Sequence, residues 1–359
     1  MYDLAVVGGG PAGTSAALTA AGWGANVLLL DKGSFPRSKV CGEFVSAESL
    51  ELLASLLHSR DLLTHAPRLQ RARVFIQGQM LETPIDPAAA SIARIDLDAA
   101  LWNAARDHGV DARERQIVCS IESRGPFLVR TRCHQFMARS VVDASGRWSN
   151  LSRREKGNGM ASGRWLGLKA HFAEHAPADS VDLYFFDGGY CGVQPVVSNG
   201  CWRINACAMI RSDTGKSLQE CFQRHPELSR RSRTWQPLTD VVATSPLLFH
   251  GPEVFRNCIL RAGDAAGFVD PFVGDGISLA LRGGELAAKS LQNFLKGHIS
   301  LEQAGENYRL AYHRHLMRVF NASRKLHLLF ELPLPVRAAM VYALAHCPAL
   351  SRYLVRKTR

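Results

Sequence analysis

The amino-acid sequence predicts an α/β fold in which a parallel sheet flanked by helices carries an inserted antiparallel sheet and a C-terminal group of helices. Two observations support this prediction. Apolar strands run into glycine-rich turns and helices at two places more than 250 residues apart, and four strand-like segments with Gly- and Asn-containing turns lie between them. Strands joined through helices, together with a separate run of hairpins, are typical of the mixed α/β class.

The composition is that of a folded chain of roughly two domains, at about 100–200 residues per domain. The 359 residues are 47% hydrophobic and 21% charged. No uncharged apolar run approaches the roughly 18–20 residues that span a bilayer, and the Met1 end has no basic n-region, so we expect no signal peptide. Nine scattered cysteines without paired metal-type spacing favour a reducing, cytoplasmic compartment and no metal site.

The net charge of +11 is concentrated near the C-terminus. Residues 307–359 contain ten Lys or Arg and one acidic residue, Glu331, a net charge of +9. No nucleic-acid-binding motif accompanies this charge, so nucleic acid is not an expected partner. Two interpretations stay open, a solvated helix face or peripheral contact with anionic lipid or an acidic partner.

The N-terminal motif has the order of a dinucleotide-binding unit. The apolar strand Leu4-Ala5-Val6-Val7 leads into Gly8-Gly9-Gly10-Pro11-Ala12-Gly13, which fits G-x-G-x-x-G, and an alanine-rich helix follows. Gly8 allows the tight turn, Gly10 lets a pyrophosphate approach the backbone, and Gly13 lets helix and strand touch. The helix N-terminus offers free N–H groups and a positive dipole end to the phosphates.

A second apolar strand, residues 26–30, ends at Asp31. This position lets a carboxylate accept hydrogen bonds from ribose hydroxyls. Strand, glycines, helix, strand and acid therefore predict a Rossmann-like domain. The motif alone does not separate NAD from FAD.

The second motif follows the apolar strand at Ile259. It reads Gly263-Asp264-Ala265-Ala266-Gly267, and then Pro271, Gly274 and Gly276 introduce a long helix near Ile277. Free N–H groups at that helix start favour negative charge on the pyrimidine edge of an isoalloxazine ring, where charge develops on reduction.

Together the two motifs resemble the flavoprotein superfamily of p-hydroxybenzoate hydroxylase. The closest likeness is to geranylgeranyl-reductase-like FAD oxidoreductases, with flavin-dependent halogenases as near relatives, and it covers residues 1 to about 290. The resemblance implies FAD as the cofactor, with Asp264 on the ribityl chain and the backbone near Gly276 and Ile277 facing the flavin.

Two further segments fit this resemblance. Arg94 begins a stretch similar to the family's R-x-x-[LF]-D-x-x-L helix start, whose Arg reaches the FAD; the alternative is an ordinary amphipathic helix capped by Asp96. The segment from Arg37 to Glu43 is similar to the loop in which the reductases have a Cys-Gly pair beside the reactive face of the flavin. Cys41 is therefore the predicted catalytic residue, and the alternative is a small buried residue in a turn.

The predicted cofactor-binding residues come from all of these segments. They are Gly8, Gly10, Pro11, Ala12, Gly13, Asp31, Lys32, Arg37, Cys41, Gly42, Arg94, Ala144, Gly146, Gly263, Asp264, Pro271, Gly274, Gly276 and Ile277.

The sequence also departs from the related families. Ser145 stands where the hydroxylases have an Asp associated with FAD and NAD(P)H contacts. A neutral hydroxyl does not replace a carboxylate's charge-assisted hydrogen bonds, so NAD(P)H as electron donor is left open. Halogenases need a lysine after the loop and a Trp-x-Trp-x-Ile-Pro signature. This chain has no lysine between Lys39 and Lys156, and no tryptophan two residues from another.

The middle of the chain predicts the substrate side. Its strand segments are residues 165–172, 181–186, 192–197 and 202–209. Their aromatic residues, Phe185, Phe186, Tyr190 and Trp202, suit a large apolar or planar ligand. Tyr190-Cys191-Gly192 is expected at a turn, and His171 as a strand residue meeting solvent or sheet rather than a base.

These observations predict a discontinuous organisation. The FAD-binding domain comprises residues 1–65, 90–160 and 250–300, and the substrate domain residues 66–89 and 161–249. A helical segment, 301–359, has a break at Leu332-Pro333-Leu334-Pro335 and then a half that caps the substrate tunnel or lies near a membrane.

The predicted function is that of a FAD-dependent oxidoreductase acting on an apolar or aromatic small molecule of the prenyl or polyketide type. Either C=C reduction or flavin monooxygenation is consistent with the residues. The alternatives are a flavin-dependent halogenase and, from another class, a FAD-holding binding or assembly protein without turnover.

Overall fold

The structure is a computed structural model that describes residues 1–123, 126–147, 151, 165–247, 249–268, 274–330 and 332–346. Its helices are α1 (Pro11–Ala21), α2 (Leu50–Leu57), α3 (Asp61–Thr64), α4 (Arg94–Asp107), α5 (Leu218–Gln223), α6 (Pro226–Arg231), α7 (Gly276–Leu295), α8 (Leu301–His315), α9 (Met317–Phe330) and α10 (Leu334–His346). Its strands are β1 (Tyr2–Val7), β2 (Val27–Leu30), β3 (Phe44–Val45), β4 (Arg68–Ile76), β5 (Gln79–Ser91), β6 (Asp111–Arg113), β7 (Val118–Ser123), β8 (Phe127–Thr131), β9 (Gln135–Asp143), β10 (Trp165–Ala173), β11 (Ser180–Phe186), β12 (Gly189–Ser198), β13 (Cys201–Arg211), β14 (Gln236–Pro237), β15 (Val242–Thr244), β16 (Phe255–Arg256) and β17 (Ile259–Arg261).

The first sheet has a parallel centre, as the continuous apolar runs predict. Its strand order is β16-β17-β9-β1-β2-β6, and β1 pairs in parallel with both β2 and β9. Every residue of β2 is buried, which is typical of a strand covered on both faces. The main core therefore lies between this sheet and the helices packed on it.

Helices α1 and α7 pack so closely that glycine is required between them. A Cβ on Gly284 would lie 2.0 Å from the Ala12 carbonyl oxygen, and one on Gly263 would lie 2.9 Å from the Ala12 Cβ. The beginning of α1 is thereby brought against the turn that precedes α7. Residues separated by about 250 positions in sequence thus meet at one place.

The second sheet contains the four predicted strands β10 to β13, which pair antiparallel in the order β10-β13-β12-β11. It is larger than predicted, because β4 and β5 extend it and β4 joins β11 in parallel. Tyr190, Cys191 and Gly192 lie inside β12, so their predicted position at a turn is wrong. The mixed α/β prediction is confirmed, whereas the domain boundaries remain a prediction.

The C-terminal helices return to the second sheet. Helix α10 begins at Leu334, inside the predicted break at Leu332-Pro333-Leu334-Pro335. Pro335 is accommodated because it lies in the first turn of the helix, where a missing N–H is tolerated. Leu334 and Ala338 of α10 pack in an apolar cluster with Tyr190 and Phe268. Within the described part of the chain, no helix combines the length and the apolar character needed to cross a membrane.

Candidate active site

A cavity of about 750 Å³ lies between the two sheets and collects most of the predicted site residues. Seventeen of the nineteen predicted cofactor-binding residues line it. Gly13 does not line it, and Pro271 lies outside the described residues. The motifs predicted to bind one cofactor therefore face one space.

The N-terminal glycines occupy three different environments. Gly8 has a φ of +111°, and a Cβ there would lie 2.2 Å from the Ala144 carbonyl oxygen. A Cβ on Gly13 would lie 1.8 Å from the Gly8 oxygen, so the helix meets the strand at this point. A Cβ on Gly10 would meet no atom within 4 Å. Gly10 therefore leaves an open face on the cavity at the start of α1, which fits a pyrophosphate.

Asp31 is held at the end of β2 by four hydrogen bonds. It accepts from the Gly9 and Gly33 N–H groups, each at 2.7 Å, and forms a two-pronged ion pair with Arg37. Burial would raise the pKa of Asp31, but the Arg37 guanidinium and the backbone donors lower it overall. The carboxylate is thus ionised and oriented at the cavity wall, where its contact with ribose remains a prediction.

Asp264 lies on the cavity wall at the other motif. Burial raises its pKa, and the charges of Arg147 and Arg94 oppose that shift. Arg147 Nε lies 3.5 Å from Asp264 Oδ2, and its guanidinium lies 4.4 Å from the centre of the Phe268 ring. Sequence reasoning did not assign a role to Arg147, because nothing in the motif shows that it reaches a residue 117 positions away.

Both hydrogen-bond donors of Ser145 bind a carboxylate in its own loop. Its N–H donates to Asp143 Oδ1 at 3.1 Å, and its hydroxyl donates to the same oxygen. Burial raises the pKa of Asp143, and these hydrogen bonds oppose the shift. The serine at this position therefore stabilises the buried Asp143 carboxylate through two hydrogen bonds.

Cys41 lies on the cavity wall in a turn whose backbone is fixed. Asn205 Nδ2 donates to the Cys41 and Gly42 carbonyl oxygens at 3.0 and 2.9 Å. The Cys41 sulfur accepts the Glu43 N–H at 3.3 Å and also interacts with the Arg94 guanidinium. Cys41 is half-buried, so its sulfur is held by donors without being enclosed.

Arg94 is the first residue of α4, with Ala93 before it, so the alternative in which Asp96 caps the helix is wrong. The Arg94 guanidinium donates twice to the fully buried Asp98, at 2.8 Å each. Burial would lower the pKa of Arg94, but Asp98 and Cys41 raise it above its ordinary value. The arginine is therefore charged and fixed at the cavity wall.

Sequence reasoning missed a buried charged cluster beside this turn, formed by Glu43, Lys169 and His171. The Glu43 carboxylate accepts from the Lys169 ammonium and, at 2.8 Å, from His171 Nε2. His171 is buried in the sheet rather than meeting solvent. The alternation of Lys169 and His171 along β10 was the available signal, since both must point to the same face.

The cavity also has an apolar wall, to which the second sheet supplies Tyr190 and Met209, and Leu247 and Phe268 add to it from segments outside the strands of that sheet. Of the aromatic residues singled out from the sequence, Tyr190 alone lines the cavity. Phe185 and Phe186 are buried elsewhere, and Trp202 is 61% exposed. The cavity thus joins a polar half at the glycine motifs to an apolar half under the sheet.

Comparison with known proteins agrees with this geometry. The digeranylgeranylglycerophospholipid reductase 1 of Methanothermobacter thermautotrophicus is 26% identical over 86% of this chain and 81% of its own length. The menaquinone reductase of Mycobacterium tuberculosis is 29% identical over 81% of this chain and 76% of its own. Conditioned medium factor receptor 1 of Dictyostelium discoideum is 26% identical over 81% of this chain, which spans only 63% of that longer protein.

Among solved structures, the flavin-dependent brominase Bmp2 is similar with a TM-score of 0.79, at 20% identity, over 99% of this chain and 93% of its own. This likeness concerns the fold. The sequence profile of the FAD binding domain family matches residues 1–322. The predictions of FAD as cofactor and of a FAD-dependent oxidoreductase family are thereby confirmed, and the chain belongs to the FAD-binding domain family.

Proposed function

We propose that this chain is an enzyme that uses FAD to reduce a carbon–carbon double bond of an apolar, prenyl-type small molecule, with Cys41 as the catalytic residue. The observation that carries the proposal is the position of Cys41. It lines the cavity together with both glycine motifs and the apolar wall, and its sulfur accepts a hydrogen bond from the Glu43 N–H.

The chemistry divides between cofactor and chain. When bound and reduced by a two-electron donor, FAD would supply the hydride. The Cys41 thiol gives its proton to the neighbouring carbon as general acid, and the resulting thiolate regains a proton from solvent. The product gains two hydrogen atoms, and the cofactor is left oxidised by two electrons.

The residues that would hold the cofactor follow from the polar half of the cavity. The open face of Gly10 and the N-terminus of α1 suit the pyrophosphate, and Asp31 suits the ribose. Asp264 suits the ribityl hydroxyls, and the N-terminus of α7 at Gly276 suits the pyrimidine edge of the flavin.

The substrate class is inferred from the apolar half. Tyr190, Met209, Leu247 and Phe268 offer contacts to a hydrocarbon chain and no charged group. Two of the similar proteins are named as reductases of a digeranylgeranylglycerophospholipid and of a menaquinone, and both names describe prenylated molecules. Peripheral contact of the basic C-terminal helices with a membrane would bring such a substrate to the cavity.

The eight cysteines of the described residues are all free thiols. This supports a reducing compartment, and we propose a cytoplasmic location.

Hydroxylation by the reduced flavin and O₂ is the rival reaction, and halogenation is the other alternative. Of the described residues, the lysines that line the cavity are Lys32 and Lys39. Both precede Cys41 in the chain, so neither follows the loop as the lysine of a halogenase would. Lys169 is buried against Glu43.

The test is an anaerobic reaction of dithionite-reduced protein with geranylgeraniol or menaquinone, followed by mass spectrometry of the product after admission of air. We expect a gain of two hydrogen atoms without oxygen. Cys41→Ser should keep its FAD and lose roughly 10²- to 10⁴-fold in rate, the usual contribution of general acid catalysis, while the exposed Cys119→Ser should retain full activity. Product that gains an oxygen or halogen atom, or full activity in Cys41→Ser, would refute the proposal. A bound flavin that no donor reduces would favour the assembly-protein alternative.

A further inference from the structure

Glu43 links the parts of the chain that surround Cys41. Its side chain is fully buried, yet its backbone has a φ of 65°. Left-handed backbone is unfavourable for a non-glycine residue and persists where surrounding contacts determine it. The contacts of Glu43 are therefore expected to fix this conformation.

The carboxylate of Glu43 reaches two elements at once. One oxygen accepts the Arg94 N–H at 2.8 Å at the start of α4, and it also accepts from Lys169 on β10. The other oxygen accepts from His171 Nε2 at 2.8 Å. Burial would raise the pKa of Glu43, but His171 and Lys169 lower it overall, so the group is a carboxylate.

The backbone of Glu43 extends this linkage. Its carbonyl oxygen accepts the Ile92 N–H at 2.9 Å, and its N–H donates to the Cys41 sulfur. The Glu43 carboxylate thus holds the backbone N–H of the residue whose guanidinium interacts with that sulfur, while Asp98 holds the guanidinium itself.

We propose that Glu43 is a positioning residue: its carboxylate joins β10 to the start of α4, and this linkage keeps the Glu43 N–H on the Cys41 sulfur and the sulfur at the cavity. This inference rests on the proposed function, which makes Cys41 the acid. The Lys169 ammonium and the hydrogen bond from His171 stabilise the buried carboxylate, which would not be stable there without partners. Neither residue needs to touch the substrate.

The reactivity of the Cys41 thiol provides a readout that does not depend on turnover. Iodoacetamide reaches Cys41 from the cavity that this residue lines, so the alkylation rate reports whether the sulfur is directed toward the cavity. In FAD-loaded Glu43→Gln, we expect the rate of Cys41 alkylation, measured by mass spectrometry of its peptide, to fall about tenfold, equivalent to about 1.4 kcal/mol.

Control cysteines and a control variant distinguish a local effect on Cys41 from a general destabilisation of the protein. The exposed Cys119 and Cys133 should react at unchanged rates in the same molecules. Glu48→Gln, at an exposed glutamate five residues along the chain, should leave the Cys41 rate unchanged. Equal changes at all three cysteines would indicate a merely structural role and overturn the proposal, as would an unchanged Cys41 rate in folded Glu43→Gln.

A second variant, Glu43→Asp, tests the proposal in case Glu43→Gln does not fold. Glu43→Asp keeps the charge but is one methylene shorter, so it cannot reach both Arg94 N and His171 Nε2, and we expect a smaller decrease at Cys41 alone. An unchanged Cys41 rate in folded Glu43→Asp would overturn the proposal if Glu43→Gln does not fold. Because alkylation is read without substrate, this result stands apart from the activity of Cys41→Ser. An inactive Cys41→Ser with unchanged alkylation in the Glu43 variants would reject the positioning role alone.

Discussion

Replacing Gly10 with valine should abolish FAD binding while leaving the fold intact. Gly10 has an ordinary extended backbone, with φ of −81° and ψ of −177°, which valine adopts readily before a proline. A Cβ at this position would meet no protein atom within 4 Å and would face the cavity. The valine side chain would therefore occupy the space assigned to the pyrophosphate.

The magnitude follows from the hydrogen bonds that the cofactor would lose. Displacing the pyrophosphate from about two N–H groups at the start of α1 removes roughly 1.5–3 kcal/mol for each hydrogen bond to a charged group. The expected loss of about 3–6 kcal/mol corresponds to a Kd that rises by roughly 10²- to 10⁴-fold. The free energy of unfolding of the FAD-free protein should change by no more than about 0.5 kcal/mol, as for an ordinary surface substitution.

The assay is titration of the FAD-free protein with FAD, followed by flavin fluorescence, together with urea unfolding. Gly251→Val is the matched control, because Gly251 also precedes a proline and is open to solvent on its Cβ side. It should bind FAD normally. A folded Gly10→Val protein with wild-type affinity would show that the pyrophosphate does not pass Gly10. An unfolded Gly10→Val protein would show that the valine side chain does not fit into the space beside Gly10.

Two further predictions concern charged groups at the cavity wall. Arg94→Met should lower the free energy of unfolding by about 3–5 kcal/mol, because it leaves the buried Asp98 carboxylate without its partner; adding Asp98→Leu should recover most of this loss in urea unfolding. Asp31→Asn should be destabilising at pH 7. The pKa of Asp31 is lowered on folding, so its carboxylate stabilises the protein above its unfolded pKa of about 3.9 and loses that contribution as the pH falls further.

Each of these predictions has a contradicting outcome. If Arg94→Met with Asp98→Leu is as unstable as Arg94→Met alone, then the unpaired buried carboxylate is not the cause of the loss. If the difference in urea midpoint between Asp31→Asn and the wild type does not shrink between pH 7 and acidic pH, then Arg37 does not stabilise the Asp31 carboxylate.

The sequence predicted the parts of this molecule that depend on local pattern. The βαβ start, the strand before Asp264 and the four hairpin strands were predicted because apolar runs and glycine turns are short-range signals. The convergence of both glycine motifs was predicted from the resemblance rather than from the chain itself. The space left open at Gly10 agrees with the role its motif predicts.

The remaining features depend on long-range contacts that no local pattern encodes. Glu43 is separated from Lys169 by 126 positions, and its burial as a carboxylate is intelligible only once both partners are known. The turn before β12 lies at Asp187 and Gly188, as the glycine-containing turn signal there predicts, but Tyr190 was also assigned to a turn and instead lies within β12. Pairing of β12 along β13 overrides that local preference.

The most direct test of the account is the identity and amount of flavin in the native protein. Protein purified without added cofactor should be yellow, and the flavin released on denaturation should be FAD, close to one molecule per chain after reconstitution. A folded, colourless protein that takes up no FAD, or one that retains another flavin instead, would contradict the assignment of a single cofactor to both glycine motifs.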